Sequence, residues 1–351
     1  MIKLGIIGFG GMASYHEQNL KEYKRVEVAG IYDVDPARMA YAKSLGYKTY
    51  KDQRSMLEDL QVDAILIGTT NEVHKEIAIQ GMRAGKHIIC EKPVTLSSED
   101  LIEIMAVEKE TGQVFTINQN RRTNRDFVLM RRQVEAGLLG DVYHFESRVE
   151  GSRGMPKGWR TIKALGGGMM LDWGVHLIDQ MLYMLEDEVV NIYCQMNSIE
   201  YPDVDDNFRL ALTFKSGKTL QLEVATNNYV KHPRWYVLGT EGTLQIDDWE
   251  CDGKIVHCKD KDGVWEDEIV YTKAGPTKVM APRRKDTLEE ITLSEPLDVV
   301  DNITVVYDQF IDAIEGNGPL TITSAQALRV MQVMEAAFES AETGCAIASR
   351  I

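Results

Sequence analysis

An acid and an imidazole occur four residues apart near the middle of the chain, directly after three consecutive glycines. Asp172 and His176 follow the glycine run 166–168. If the chain is helical from Leu171 onward, these two side chains lie one turn apart on the same face. A carboxylate beside a histidine can orient the ring and stabilise its protonated form, which suits a general base. The pair alone also fits a hydrogen bond at the edge of a core.

The first residues of the chain predict a turn that binds phosphate. A short apolar run, residues 2–7, leads into Gly8-x-Gly10-x-x-Ala13, and a mixed polar and apolar segment follows. This order of strand, glycine turn and helix begins a dinucleotide-binding βαβ unit, in which free amides at the helix N-terminus face the pyrophosphate. Five residues of this turn are expected to contact the cofactor: Gly8, Phe9, Gly10, Gly11 and Met12.

An acidic residue ends the second predicted strand, about twenty residues after the glycine turn. The strand covers Val26 to Tyr32, and Asp33 follows it. At this position a carboxylate can bind both hydroxyls of the adenosine ribose and repel a 2′-phosphate. The expected cofactor is therefore NAD, although a solvated aspartate in a turn before Pro36 would give the same pattern.

The composition fits a cytoplasmic enzyme. The chain has 351 residues, of which 44% are hydrophobic and 26% charged, and its formal net charge is −15. The negative charge argues against nucleic acid or an anionic membrane as a partner. No apolar run has the length of a membrane span, and the N-terminus does not have the layout of a signal peptide. The five scattered cysteines predict free thiols in a reducing compartment.

Short apolar runs and helical segments alternate up to about residue 120. Strands are expected at Ala64 to Gly68, His87 to Cys90 and Val114 to Ile117, and helices near Arg38 to Leu45, His74 to Ala84 and Ser98 to Thr111. The alternation predicts an α/β fold with a parallel, doubly wound sheet, so residues 1–120 are expected to form an NAD-binding Rossmann domain. Four residues after the third strand should face the cofactor: Thr69, Thr70, Asn71 and His74.

Beyond residue 120 the apolar pattern changes to a period of two. Strands are expected at Tyr143 to Val149, Val190 to Met196, Phe208 to Phe214, Thr219 to Ala225, Trp235 to Leu238 and Thr243 to Ile246. Residues 121–351 are therefore predicted to form a second α/β domain, with an open, predominantly antiparallel sheet, that binds substrate. Helices are expected at Asn302 to Glu315 and Ser324 to Thr343. The polar segment Lys273 to Pro296, basic at residues 283–285, is predicted to be an irregular loop.

A third motif, Glu91-Lys92-Pro93, directly follows the strand that ends at Cys90. Lys92 should therefore lie at the same rim of the sheet as the glycine turn. A lysine in a partly closed site can donate a proton to a reacting oxygen or stabilise an alkoxide. A surface lysine before a proline turn is the alternative.

These motifs together resemble the Gfo/Idh/MocA family, the group of glucose-fructose oxidoreductase, inositol dehydrogenase and rhizopine catabolism proteins. The resemblance covers nearly the whole chain and rests on the Gly8 turn, the motif at 91–93, the glycine run 166–168 with its Asp/His pair, and Gly239-Thr240-Glu241-Gly242-Thr243. It implies a Rossmann domain, a second domain whose open sheet also forms the subunit interface, and a homodimer or homotetramer. The bond before Pro93 is expected to be cis.

The resemblance also implies a catalytic set of Lys92, Asp172 and His176. His176 would take the proton of a ring hydroxyl while the carbinol hydrogen leaves as hydride to NAD, and Lys92 would stabilise the developing charge on the same oxygen. Asp172 would orient His176, bind a neighbouring hydroxyl, or both. No metal is required. Further residues are expected at the cofactor, Glu91 and Asn120, and at the substrate, Arg122, Trp159, Arg160 and His232.

Three functions stay open on the sequence alone. The first is NAD-dependent oxidation of a secondary ring hydroxyl in a sugar, a glycoside or a cyclitol, with C3 of an O- or C-glucoside as one option. The second is a redox-neutral, glycoside-cleaving enzyme that keeps its NAD. The third is a sugar- or NAD-sensing protein without turnover. The sequence does not distinguish the substrate, the direction of the reaction or the fate of the cofactor.

Overall fold

The N-terminal part of the chain forms a parallel five-stranded sheet between helices. The structure is a computed structural model that describes residues 1–260, 269–278, 283 and 285–351. The strand order is β2-β1-β3-β4-β5, with β1 Ile2–Ile7, β2 Val26–Tyr32, β3 Ala64–Ile67, β4 His87–Cys90 and β5 Phe115–Ile117. The helices are α1 Gly11–Leu20, α2 Pro36–Ser44, α3 Gln53–Leu57, α4 His74–Arg83, α5 Ser98–Thr111 and α6 Arg125–Glu135. This doubly wound arrangement confirms the predicted α/β class.

The second sheet has nine strands and is antiparallel except where β6 lies beside β9. Its order is β15-β12-β11-β10-β6-β9-β8-β7-β16. The strands are β6 Val142–Glu150, β7 Val189–Asn197, β8 Asn207–Phe214, β9 Thr219–Ala225, β10 Trp235–Gly239, β11 Gly242–Ile246, β12 Gly253–Cys258, β15 Leu288–Leu293 and β16 Ile347–Ala348. β13 Ile269–Thr272 and β14 Gly275–Lys278 form a separate hairpin. In the described part of the chain after residue 150, the α-helices are α7 Val175–Leu185, α8 Thr304–Glu315 and α9 Ser324–Thr343.

The strands of the first sheet are buried on both faces. In β3, Ile65 and Ile67 pack into one apolar cluster with α4 and α5, whereas Leu66 packs into another with α1 and α8. Side chains that alternate between two covered faces explain why this strand is a continuous apolar run. α8 contributes the buried Tyr307 and Phe310 to the second cluster, and α9 contacts both α5 and β7. α9 therefore connects the two sheets, whereas α8 packs on the first.

The prediction of an irregular loop over Lys273 to Pro296 is wrong in part. The described residues of this segment include β14, a short 3-10 turn at Lys285–Thr287 and the edge strand β15. Residues 279–282 and 284 lie outside the described residues. β15 pairs with β12, so that Ile291 lies opposite Ile255. The mixture of charged and apolar residues at this exposed edge hides the alternation that a strand usually shows.

Within the described ranges no helix is long and apolar enough to cross a membrane.

Candidate active site

The glycine turn leaves room on one side and is tightly packed on the other. Gly8 has a φ of 84°, and a Cβ at this position would lie 2.7 Å from the main chain of Gly68. A Cβ on Gly10 or Gly11 would meet no atom within 4 Å. α1 begins at Gly11 without a hydrogen bond from any capping side chain. Its first amides are therefore available to an anion, and the helix dipole favours one there.

A cleft of about 990 Å³ extends from this turn along the carboxyl edge of the parallel sheet. Met12, Asp33, Thr69 and Thr70 line it, and so do Glu91, Lys92, Trp159 and Arg160. Asp33 accepts hydrogen bonds from the amide of Phe9, at 2.5 Å, and of Asp35, at 2.8 Å. These bonds fix the carboxylate at the mouth of the glycine turn. The open side of the turn, the uncapped helix and the acidic residue together fit a bound dinucleotide, and contact of its ribose hydroxyls with Asp33 stays a prediction.

A chain of buried hydrogen bonds fixes Glu91 at one end of this cleft. Its Oε1 lies 2.6 Å from Nε2 of His16 and accepts from Nδ2 of Asn118 at 2.8 Å. Nδ1 of His16 lies 2.6 Å from the hydroxyl of Tyr307 on α8. Burial would raise the pKa of Glu91, but the hydrogen bonds from His16 and Asn118 outweigh it and lower this pKa. Glu91 is therefore a fixed negative charge beside Lys92.

Lys92 and Arg160 hold the carboxylate of Asp172 from two sides. Nζ of Lys92 donates to Oδ1 of Asp172 at 2.9 Å and to its main-chain oxygen at 2.8 Å. Nε of Arg160 donates to Oδ2 at 2.6 Å, and its guanidinium stacks 4.6 Å from the ring centre of Trp159. Burial raises the pKa of Asp172, but the charge of Lys92 and the bond from Arg160 outweigh it, so the net shift is downward. The peptide bond between Lys92 and Pro93 is cis.

The turn that carries Asp172 is wider than an α-helical turn. Residues Met170–Gly174 form one turn of π-helix, and α7 starts directly after it. Asp172 therefore bonds to the two cations, whereas Nδ1 of His176 lies 3.2 Å from Oε1 of Gln119. The described residues show no hydrogen bond between Asp172 and His176, so the first role expected for Asp172 lacks a direct contact, and the second, binding of a neighbouring hydroxyl, stays a prediction. Gln119 orients the ring instead.

The glycine run serves packing inside the protein. A Cβ on Gly166, whose φ is 76°, would lie 2.6 Å from Leu96 and 2.7 Å from Asn71. Gly167 packs against the carbonyl group of Arg160, and Gly168, with a φ of 108°, against the carboxylate of Asp205. The run thus lets four segments of the chain approach the start of the π-turn at once.

Two family models match the chain. Residues 2–119 match an oxidoreductase family with an NAD-binding Rossmann fold, and residues 127–245 match the GFO/IDH/MocA C-terminal domain. The chain belongs to the Gfo/Idh/MocA family of oxidoreductases. This confirms the family resemblance of the motifs and identifies an NAD-binding enzyme of this class.

Known relatives of this Gfo/Idh/MocA oxidoreductase act on cyclitols and sugars according to their names. A myo-inositol 2-dehydrogenase from Thermotoga maritima is 29% identical and matches 70% of this chain and 75% of its own length. A 1,5-anhydro-D-fructose reductase from Ensifer adhaerens is 31% identical, over 58% of this chain and 63% of its own. The crystal structure of an NAD-binding protein from Listeria innocua is 39% identical, covers 99% of both chains and has a TM-score of 0.93.

One arginine that the motifs did not identify lies beside the candidate base of this oxidoreductase. The guanidinium of Arg121 lies 5.0 Å from the ring centre of Trp173, which in turn stands edge-on to His176 at 6.0 Å. Nε of Arg121 is buried and has no hydrogen-bond partner among the described residues. Trp249, on the turn between β11 and β12, packs against Trp173 at 5.9 Å. Neither Arg121 nor Trp249 lies in a motif, so only the fold brings them to the site.

Three residues expected at the site have other surroundings. Arg122 is buried in an ion pair with Asp179. His74 is fully buried, with its ring nitrogens 3.0 Å and 3.2 Å from the carbonyl oxygens of Pro93 and Thr69. His232 is largely exposed and bonds to Glu150. Arg122 and His74 are enclosed inside the protein, whereas His232 lies at the surface, and the cleft beside Lys92 is lined by other residues.

Two of the residues expected at the cofactor are asparagines, Asn71 and Asn120, and only the first of them lines the cleft. Asn71 lines the cleft, and its Nδ2 donates to the carbonyl oxygen of Leu165 at 3.0 Å, which connects the Rossmann rim to the glycine run. Asn120 begins the 3-10 turn that follows β5 and is partly exposed, but it does not line the cleft. Contact of either residue with the cofactor stays a prediction.

Proposed function

We propose that this enzyme oxidises a secondary ring hydroxyl of a sugar, a glycoside or a cyclitol by hydride transfer to NAD. One observation carries the proposal: His176 is buried in a cluster that also holds the Lys92–Asp172 ion pair. Burial lowers the pKa of His176 well below its usual value, and the charges of Lys92 and Arg121 lower it further. An unprotonated imidazole beside a fixed ammonium group suits removal of a hydroxyl proton.

The hydrogen bond to Gln119 assigns the two ring nitrogens of His176. The amide oxygen accepts, so Nδ1 carries the hydrogen and Nε2 is left with a free lone pair. Nε2 would accept the proton of the substrate hydroxyl. Lys92 would donate a hydrogen bond to the same oxygen and stabilise its developing negative charge. When bound along the glycine turn and Asp33, NAD supplies the hydride acceptor.

The charged groups of the site favour a polyhydroxylated substrate. Asp172 accepts from Lys92 and Arg160, and all three side chains retain further donors or acceptors that a pair of neighbouring hydroxyls can use. An apolar alcohol would leave these groups without partners after displacing water, which is costly. The names of the inositol and anhydrofructose relatives support the same substrate class.

The proposal is tested by the absorbance of NADH with purified enzyme, NAD and a panel of sugars, O- and C-glucosides and inositols. We expect NADH to form with one class of ring hydroxyl. Lys92→Ala and His176→Ala should each lower kcat by roughly a hundredfold or more while the Kd of NAD stays near the wild-type value. Lys157→Ala, at an exposed lysine, is the control. Wild-type rates in either variant would contradict the assignment.

Two other functions predict different results in the same assay. A redox-neutral enzyme would change or cleave a glycoside, seen by mass spectrometry, without accumulating NADH. A sensor would bind NAD or a sugar without any turnover. The retained Lys92 and His176 favour catalysis. The proposal has three further parts. The enzyme oxidises C3 of a glucoside, assembles through the second sheet into a homodimer or homotetramer, and is located in the cytoplasm.

A further inference from the structure

A buried carboxyl group that the proposed chemistry does not use lies at the start of the π-turn. Asp205 belongs to the segment that connects β7 to β8, and only 7% of its surface is exposed. Its Oδ2 accepts the amide hydrogen of Met170 at 2.7 Å, and its main-chain oxygen accepts that of Met169 at 2.8 Å. Both amides at the beginning of the turn are therefore satisfied by one residue from a distant part of the sequence.

The opposite side of the same turn is held by the candidate catalytic groups. Lys92 bonds to both the carboxylate and the main-chain oxygen of Asp172. The carbonyl oxygen of Arg160 accepts the amide hydrogen of Gly168 at 2.9 Å. The turn is thus fixed at its start by Asp205 and at its centre by Lys92. A shift of the start would move Asp172 and His176 relative to Lys92.

The surroundings of Asp205 are acidic or neutral. Asp206 is its neighbour, and it accepts amide hydrogens from Ile199 and Glu200. Cys194 on β7 is the other titratable group nearby; burial raises its pKa to about 12, and the charge of Asp205 adds to this. Within the described residues Asp205 has no ion pair. Burial raises the pKa of Asp205 to about 7, and the charge of Asp206 adds to this rise. The hydrogen bond from the amide of Met170 opposes it.

We propose that Asp205 is a positioning residue, whose carboxyl group holds the π-turn so that Asp172 and His176 face the substrate oxygen. The inference rests on the proposed function, because the turn matters for turnover only if these two residues act in it. Removing the acceptor leaves the buried amide of Met170 without a partner, and the turn is expected to open locally. An asparagine keeps an acceptor oxygen of the same size and removes the charge.

The test compares Asp205→Ala, Asp205→Asn and the control Asp203→Ala, an exposed aspartate two residues earlier. Asp205→Ala should lower kcat about tenfold or more, since a displaced base is poorly aligned, with KM and the Kd of NAD within about twofold of wild type. Asp205→Asn should restore kcat. Hydrogen–deuterium exchange of the peptide covering residues 168–176 should be faster in Asp205→Ala and close to wild type in the other two variants.

Each outcome separates positioning from simple stability. Equal losses in Asp205→Ala and Asp205→Asn, or a fall of activity that follows only the folded fraction, would overturn the inference. The exchange measurement needs no substrate, so faster exchange without turnover of any sugar would count against the proposed function and leave the positioning role intact. If Asp205→Ala does not fold, Asp205→Ser replaces it. Serine keeps an acceptor oxygen on a shorter side chain, so kcat and the exchange rate should be intermediate.

The wild-type pH dependence gives a further readout. The pKa of Asp205 is raised in the fold from its ordinary 3.8 to about 7, so its contribution to stability is present at low pH and is lost as pH rises through this range. Asp205→Asn carries no titrating proton and should lack this loss. Exchange in the segment 168–176 should therefore rise more with pH in wild type than in Asp205→Asn. Identical pH dependence in both would contradict the titration of Asp205 in this range.

Discussion

The pKa of the candidate base, His176, is lowered by two nearby cations to which it does not bond. His176 is 5% exposed, so water contributes little to stabilising its charged form. Lys92 and Arg121 add positive charge from two directions, and both disfavour protonation. Neither nearby carboxylate bonds to His176, because Glu91 bonds to His16 and Asn118 and Asp172 bonds to Lys92 and Arg160. A histidine in these surroundings stays ready to accept a proton at neutral pH.

Replacing Arg121 by glutamine tests this balance. The substitution removes one of the two positive charges that lower the pKa of His176, so this pKa should rise. The acid limb of the profile of kcat/KM against pH should then move to higher pH. Arg83→Gln, at an exposed arginine of α4, is the matched control and should leave the profile unchanged. An unmoved acid limb in Arg121→Gln would mean that another group controls it.

The candidate catalytic residues of the site could be predicted from the sequence better than the residues that surround them. Lys92, Asp172 and His176 stand out because their chemistry is scarce and their motifs are compact. Gln119 and Arg121 carry no such signal, since an amide and one of two adjacent arginines are common in polar turns. Neighbouring residues of a 3-10 turn point in different directions, which is why Arg122, expected at the substrate, enters a buried ion pair while Arg121 faces the site.

At the scale of elements, the parallel sheet follows from the sequence more directly than the second sheet. β3 is a continuous apolar run that ends just before Gly68, β4 is a mostly apolar run that begins soon after Gly85, and α5 ends with a left-handed Gly112, so their types and one end of each are visible. β15 at the sheet edge and β12 beside it mix charged or polar residues with apolar ones. Their pairing depends on contacts distant in sequence, which local patterns do not contain.

The two glycines of the first turn have separable roles. A Cβ on Gly10 would point into open space at the cofactor side, so Gly10→Ala should leave the fold intact and fill room that the pyrophosphate needs. We expect the Kd of NAD to rise about tenfold or more, measured by calorimetry, with Tm within about 1 °C of wild type.

Gly8→Ala should show the opposite pattern. Its Cβ would overlap the main chain of Gly68 in a backbone region that favours glycine, so the unfolding free energy should fall by roughly 2 kcal/mol or more. Weaker NAD binding would follow from this distortion. If Gly10→Ala instead lost stability and kept its NAD affinity, the phosphate side of the turn would be assigned wrongly.

At the scale of the whole molecule, one buried ion pair joins the segment after β5 to the helices of the second sheet. Nε and Nη2 of Arg122 donate to the two carboxylate oxygens of Asp179 on α7, at 2.7 Å and 2.6 Å. Nη1 donates to the carbonyl oxygen of Thr321 and to Oε1 of Gln326, both at the start of α9. Three elements distant in sequence therefore meet at one guanidinium.

Arg122→Met should destabilise the protein without altering catalysis. The change leaves the charge of Asp179 buried and unpaired, which costs about 3–5 kcal/mol of unfolding free energy in such sites. In the double variant Arg122→Met/Asp179→Leu, apolar side chains fill the same space, and most of this stability should return. Urea unfolding at neutral pH measures both, and kcat/KM should be near wild type in each.

The loss in Arg122→Met should also depend on pH. Burial raises the pKa of Asp179 and Arg122 opposes this, so without the arginine the pKa should rise further. A carboxyl group with a raised pKa in the fold contributes stability at low pH that is lost as pH increases, and the deficit of the variant should therefore grow from acidic to neutral pH. If the loss of unfolding free energy were small and independent of pH, and KM were higher, Arg122 would instead bind the substrate, as its position in the sequence suggested.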